Sequence, residues 1–256
     1  MTGGTHRSFD ESTERDGARM SVGHPWRRAG QTRPEKECER HQPIRGYLKI
    51  EGAARAFSFD FKDKVVLDIG SSTGGFTEYA LEHGAKKVIA VEKGSHQMKT
   101  PLRFDPRIDL HEKTDIFNVV APGQTATVTC PKGHEDSARA AWSVPEGHAT
   151  VAVWPLPDII LADVSFLSLT KILAYAKKNL VGKHTEFLVM LKPQFEARPD
   201  QLRNGVVKNE TIRREIIKQF EYWLKTNDYL IIKKHDNELH GKTGNIERFY
   251  YLALAK

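Results

Sequence analysis

Leu67-Asp68-Ile69-Gly70-Ser71-Ser72-Thr73-Gly74-Gly75-Phe76-Thr77 runs from a strand pattern into a glycine-rich turn and out into a helix. Val65-Val66-Leu67 is β-branched and aliphatic, and Phe76-Thr77-Glu78-Tyr79-Ala80-Leu81 begins a helical pattern. A strand, a tight turn and a helix in that order make a ligand crevice at the carboxyl edge of a parallel sheet. Gly70, Gly74 and Gly75 lack the G-x-G-x-x-G spacing that brings backbone up to a pyrophosphate. Asp68, at the strand end, repels phosphate and suits an ammonium group, as in the methionine part of S-adenosylmethionine. Turns of this kind also serve as plain strand–helix connectors, so the turn alone leaves both readings open.

Outward from this turn, strand and helix patterns alternate. Ahead of it, Tyr47 to Phe61 reads as an amphipathic helix. Lys64–Ile69 is predicted as the first strand, Phe76–His83 as a helix, Lys87–Val91 as the second strand and Arg107–Glu112 as the third. Pro157–Asp163 and Glu186–Leu191 are the fourth and fifth strands, with helices at Leu169–Leu180 and Thr211–Lys225. Tyr229–Lys234 and Phe249–Ala255 close the chain as two strands with no helix between them. The alternation predicts an α/β, Rossmann-like doubly wound sheet of seven mostly parallel strands, and the final hairpin predicts one antiparallel strand. Residues 1–41 are polar and without apolar periodicity, and read as a disordered tail. Residues 121–156 interrupt the rhythm and read as a surface insertion in a domain spanning 42–256.

At 256 residues the chain suits one ordinary domain with additions. No apolar run is long enough to span a membrane, and the absence of an apolar N-terminal stretch argues for a cytoplasmic protein. Cys38 and Cys130 sit in polar surroundings and give no disulfide framework. The formal charge of +6 is uneven: +2 over residues 1–45, −3 over 46–163 and +7 over 164–256. A basic C-terminal half beside a more acidic half suits a polyanionic substrate such as nucleic acid, although most of these charges taken singly are solvated surface. Cys130-Pro-Lys-Gly-His134 offers only two ligands for a metal, so no metal site is expected.

The chemistry-bearing residues fall at strand ends. Glu92 follows the second strand and can accept both vicinal hydroxyls of a ribose. Asp115, after Thr114, can accept from an adenine amino group. Asp163 ends the fourth strand and Lys192 the fifth, so both point into the crevice, where unpaired charge costs desolvation. The plain alternative is an ion pair that only ties two strand ends together. Pro193 stiffens the chain leaving Lys192. Lys49 ahead of the first strand and Glu247 ahead of the last complete a Lys-Asp-Lys-Glu set.

LDIGSSTGGFT, ADVSFLSL, MLKPQFE and GKTGNIE, in that order, resemble the TlyA (haemolysin-A-like) family of RNA ribose methyltransferases, relatives of the FtsJ group. The likeness runs from about Ile44 to Lys256 outside residues 121–156. It implies the class I methyltransferase fold, S-adenosylmethionine as cofactor, and methyl transfer to a ribose 2′-hydroxyl of ribosomal RNA. It implies a catalytic set at Lys49, Asp163, Lys192 and Glu247, with Lys192 as base or steering group. The cofactor would rest on Asp68, Gly70, Ser72, Thr73, Gly74, Gly75, Phe76, Glu92, Asp115 and Asp163. Family members usually begin with a small RNA-binding domain whose pattern residues 1–41 lack, so RNA docking would fall to the basic C-terminal half or to a partner. Two other classes stay open: a methyltransferase acting on a small hydroxylated molecule, and a non-catalytic RNA-binding protein. Membrane lysis, implied by the haemolysin label, lacks any amphipathic membrane segment.

Overall fold

The computed structural model describes residues 44–119, 154–239 and 244–255. Among the described residues, seven strands make one sheet: β1 (Val65–Ile69), β2 (Lys87–Val91), β3 (Ile108–His111), β4 (Ile159–Ala162), β5 (Glu186–Leu191), β6 (Tyr229–Asp236) and β7 (Arg248–Leu254). Their spatial order is β3-β2-β1-β4-β5-β7-β6. β1 pairs in parallel with β2 and with β4, and β7 runs antiparallel to both β5 and β6. The expected doubly wound sheet with one antiparallel strand is therefore present. The strand order reverses between β1 and β4, and crevices in such sheets open at that point, beyond the carboxyl ends of the strands.

The central strands are apolar along their whole length because both faces of the sheet are covered. On one face Leu67, Ile160, Phe187 and Val189 pack under α3 (Leu169–Asn179) and α5 (Glu210–Thr226). On the other, Val66, Ile159, Leu188 and Phe249 pack under α1 (Arg45–Phe57) and α2 (Gly75–Glu82). α1 buries Ile50, Ala53, Ala54 and Phe57 at helical spacing, together with Lys49. It ends at Phe57, four residues short of the sequence expectation, because Ser58 turns left-handed and its N–H closes onto Ala54 and Arg55. α5 is begun by Asn209, whose side chain accepts the N–H groups of Thr211 and Ile212. A short helix α4 (Pro193–Glu196) follows β5 directly, and the sequence patterns gave no sign of it.

The expected polar tail at 1–41, Cys130 and His134 lie outside the described residues, as does most of the expected insertion. The C-terminal end of that insertion needs correction. Trp154 is buried in the main core and lies 4.4 Å, ring to ring, from His111. A large indole removed from water in this way belongs to the domain rather than to a surface excursion.

Helix α1 reaches its place through an unusually close approach. A Cβ built on Gly75 would lie 2.5 Å from the Tyr47 nitrogen and 2.8 Å from two backbone atoms of Gly46. Those neighbours are backbone and cannot swing aside, so the first turn of α1 sits where it does because residue 75 has no side chain. Gly75→Ala is expected to cost about 1–3 kcal/mol of unfolding free energy by forcing the two helices apart. Gly52→Ala, whose Cβ meets nothing within 4 Å, is expected to be neutral or stabilising. Denaturant midpoints of the two variants check this, and a Gly75→Ala protein as stable as the wild type would contradict it.

Candidate active site

Two cavities open at the carboxyl edge of the sheet and share a wall. The first, of about 680 Å³, lies between the N-terminal turns of α1 and α2 and the loop after β5. The second, of about 620 Å³, lies over the ends of β1, β2 and β4. Gly70, Ser72, Asp163, Ser165, Phe166 and Lys192 line both. Gly70 has φ +82°, and a Cβ there would come within 3.3 Å of the Asp163 carbonyl oxygen. The floor between the cavities is thus bare backbone, and it needs glycine on both counts.

The four charged residues singled out from the sequence converge at this junction. Lys192 Nζ lies 2.6 Å from Asp163 Oδ1 and donates to Ser165 Oγ at 3.0 Å. Lys49 Nζ lies 2.7 Å from Glu247 Oε2 and 4.0 Å from Asp163 Oδ2. Asp163 thus stands between two lysines. Lys49, Lys192 and Glu247 are all more than nine-tenths buried. Buried charges survive only when paired, and each of these four has an opposite charge beside it. Lys192 caps the start of α4 with Pro193 at the first helical position, so its backbone is held by a stiff turn as expected.

Glu247 is fixed from behind. Asn245, buried two residues earlier, accepts from the Val207 N–H and donates to the Gly205 carbonyl. Arg213 of α5 reaches the Ile246 carbonyl at 3.4 Å and Asp236 at 2.8 Å. Asn237 N–H donates to the Glu247 carbonyl at 2.8 Å. Asn245, Ile246 and Glu247 are thereby each tied to a neighbouring segment.

The residues expected to hold a cofactor divide into two groups. Glu92 and Asp115 line the second cavity beside the apolar Ile116, Phe117 and Leu167. Glu92 already accepts from the Ser72 and Gly94 N–H groups, at 2.9 and 2.7 Å, which aims its carboxylate. Asp115 accepts from the Phe117 N–H and pairs with Lys93 at 3.2 Å. Ser72, Thr73, Gly75 and Phe76 line the first cavity. Gly74 and Asp68 line neither. A Cβ on Gly74 would strike Leu102 at 2.4 Å, so that glycine admits the loop from Lys93 to Phe104 over the turn. Asp68 lies beneath the turn, 1% exposed, and accepts from the Thr77 hydroxyl at 2.7 Å. In this place it ties the end of β1 to α2. Burial, with Asp163 and Glu92 nearby, pushes its carboxyl up to about 7 against the pull of Thr77.

Sequence reasoning missed several residues on the cavity walls. Ser165 and Phe166 follow Asp163 and line both chambers, while Gln194 and Phe195 follow Lys192. Phe166 has φ +62° and is 91% exposed, its ring 5.3 Å from that of Phe195. A bulky residue held left-handed with its ring in solvent is strained, and such strain collects at binding sites. Their position directly after the two charged strand ends was the one available signal. Lys99 also lines the first cavity and is exposed. Among the described residues no group of three potential metal ligands occurs, and no helix is long and apolar enough to cross a membrane.

The model of the FtsJ-like methyltransferase family matches residues 43–254. The chain is 32% identical to YqxC of Bacillus subtilis over 209 residues, which cover 81% of this chain and 64% of YqxC. It therefore spans just under two thirds of that relative's length. It is 31% identical to the 23S rRNA (cytidine-2′-O)-methyltransferase TlyA of Campylobacter jejuni, covering 81% of this chain and 69% of that one. Among solved structures it resembles the "Putative hemolysin from Streptococcus thermophilus", with TM-score 0.67 and 30% identity over 86% of this chain and 70% of that one.

The burial of Asp68 has a measurable consequence. The unfolded chain ionises this carboxyl near pH 4 (about the ordinary Asp value), whereas the folded chain retains the proton to about 7. Between those values the folded state binds a proton that the unfolded state has lost, so rising pH favours unfolding. The slope is up to about 1.4 kcal/mol per pH unit. Asp68→Asn is expected to remove that part of the pH dependence. Denaturant unfolding at intervals from pH 4 to 8 reads it, and equal slopes in the two proteins would contradict the assignment.

Proposed function

Because the chain belongs to the FtsJ-like methyltransferase family, we propose that it transfers a methyl group from S-adenosylmethionine to a ribose 2′-hydroxyl of ribosomal RNA. One observation carries this reading: Lys49, Asp163, Lys192 and Glu247 meet where two cavities share a wall, so that the second can hold the cofactor's nucleoside and the first its methionine end beside an incoming ribose. The residues of the second cavity fit the cofactor. Ile116, Phe117 and Leu167 offer flat apolar walls to an adenine, Asp115 an acceptor for its amino group, and Glu92 a carboxylate for the ribose hydroxyls. The bare backbone at Gly70 and the turn through Ser72 and Thr73 leave room for the methionine end. When bound, S-adenosylmethionine supplies an electrophilic methyl on a sulfonium sulfur.

The chain's own part is to place and deprotonate the hydroxyl. Asp163 and Ser165 occupy two of the three directions at Lys192 Nζ, which leaves the third facing the junction. As the ribose oxygen attacks, its O–H proton passes to Lys192 Nζ in the neutral amine form, whose two N–H groups face Asp163 and Ser165 and whose lone pair takes the third direction. Glu247 holds Lys49 against the other oxygen of Asp163, so the carboxylate cannot rotate away from Lys192. Burial of the set excludes water, and alignment of oxygen and methyl contributes much of the rate. Phe166 and Phe195 at the rim present aromatic faces to a base, and the charge of +7 over residues 164–256 suits a phosphate backbone.

Labelled S-adenosylmethionine, incubated with unmethylated ribosomal subunits or free RNA, is expected to label RNA. Lys192→Ala is expected to lower the rate by about 10²–10⁴-fold. Its affinity for S-adenosylhomocysteine should stay within about threefold, less than 1 kcal/mol, because the second cavity's adenine and ribose contacts remain. Cofactor binding by the wild type without transfer to any RNA would overturn the proposal.

A further inference from the structure

Glu196 stands at the end of α4 and lines neither cavity, yet its carboxylate reaches across to the loop that follows β4. Oε1 accepts the Leu169 N–H and Oε2 accepts the Ser168 hydroxyl, both at 2.7 Å. Ser168 is the N-terminal boundary residue of α3 and makes no capping bond with its own side chain. The opening of α3 is therefore capped from 28 residues away in sequence.

The two segments joined in this way carry the shared wall of the site. On one side, Asp163, Ser165 and Phe166 lie within five residues of Ser168. On the other, Lys192 and Glu196 are the two ends of a single turn, closed by the Phe195 N–H on the Lys192 carbonyl at 2.9 Å. A displacement of Glu196 is transmitted to Lys192 with little slack. Across from it, Phe166 at φ +62° occupies backbone space that a bulky residue leaves unless its surroundings hold it. A carboxylate anchored on one loop and satisfied twice on the other is such a hold.

We propose that Glu196 is a positioning residue: it clamps the loop bearing Asp163, Ser165 and Phe166 to the turn bearing Lys192, and so sets the distance across which the methyl group passes. The proposal rests on the methyl-transfer reading above. Its distinguishing feature is that geometry matters and charge does not. A glutamine can accept the Leu169 N–H through its carbonyl and donate to the Ser168 oxygen through its amide, whereas aspartate is one methylene too short for both bonds.

The test compares Glu196→Gln, Glu196→Asp and Glu196→Ala by two readouts. In methyl transfer to RNA, Glu196→Gln is expected within about twofold of wild type. Glu196→Ala and Glu196→Asp should fall at least about tenfold in kcat, with S-adenosylhomocysteine affinity within about threefold. In amide hydrogen exchange, residues 164–169 and 193–197 should exchange faster in Glu196→Ala and return to wild-type rates in Glu196→Gln. The clamp is overturned if Glu196→Ala exchanges and turns over like wild type. It is equally overturned if Glu196→Gln is as impaired as Glu196→Ala, or if kcat and cofactor affinity fall in step. If the variants show this exchange pattern while the wild type labels no RNA, the methyl-transfer reading is overturned and the clamp stands.

Discussion

The contact on which the site depends is the 2.6 Å ion pair between Asp163 and Lys192 at the ends of neighbouring strands. Parallel pairing of β4 with β5 brings the two strand ends side by side: Ala162 is in register with Val189, Asp163 follows one residue beyond that pair and Lys192 three. A lysine more than nine-tenths buried is tolerated there only because a carboxylate faces it. The same carboxylate then constrains everything around it. Its second oxygen draws Lys49 from α1, which needs Glu247 to balance it, and the Glu247 loop is tied down by Asn245 and Arg213. Removing any one partner leaves a buried charge uncompensated, so the four act as a unit.

Helix α1 shows how packing serves this electrostatics. It brings the one member of the set that no strand end supplies. Lys49 can reach Asp163 and Glu247 only if the first turn of α1 lies against the first turn of α2, and that approach requires the bare backbone of Gly75 beside Gly46. The glycines of the turn are therefore of two kinds. Gly70 clears the floor between the two chambers, whereas Gly74 and Gly75 admit a loop and a helix against its outer side. Burial of Asp68 under the same turn, tied to Thr77, completes the support from below.

This division explains what was legible in the sequence. The strands could be read because central parallel strands are continuously apolar, and strand ends locate crevice residues without any further information. Asp163, Lys192 and Glu92 fell out of that rule directly. Asp68 obeys the same rule but lies below the turn, because burial depth depends on how the turn folds back, which spacing does not encode. Trp154 read as part of an insertion, since its partner His111 lies 43 positions away in the chain and no local pattern links them. Phe166 and Glu196 were invisible for a related reason. A left-handed φ on a phenylalanine and a helix cap supplied from 28 residues downstream are products of tertiary structure.

The central claim is that the two chambers bring a methyl donor and a ribose hydroxyl face to face across Lys192. The position of the transferred methyl tests it most directly. RNA labelled by the wild-type protein would be digested to nucleosides and the labelled species identified by mass spectrometry. The account predicts a nucleoside methylated on the ribose 2′-oxygen, with its glycosidic base unmodified. Label on a base nitrogen or carbon would contradict it, because the role proposed for the Lys-Asp-Lys-Glu junction is to take a proton from a hydroxyl.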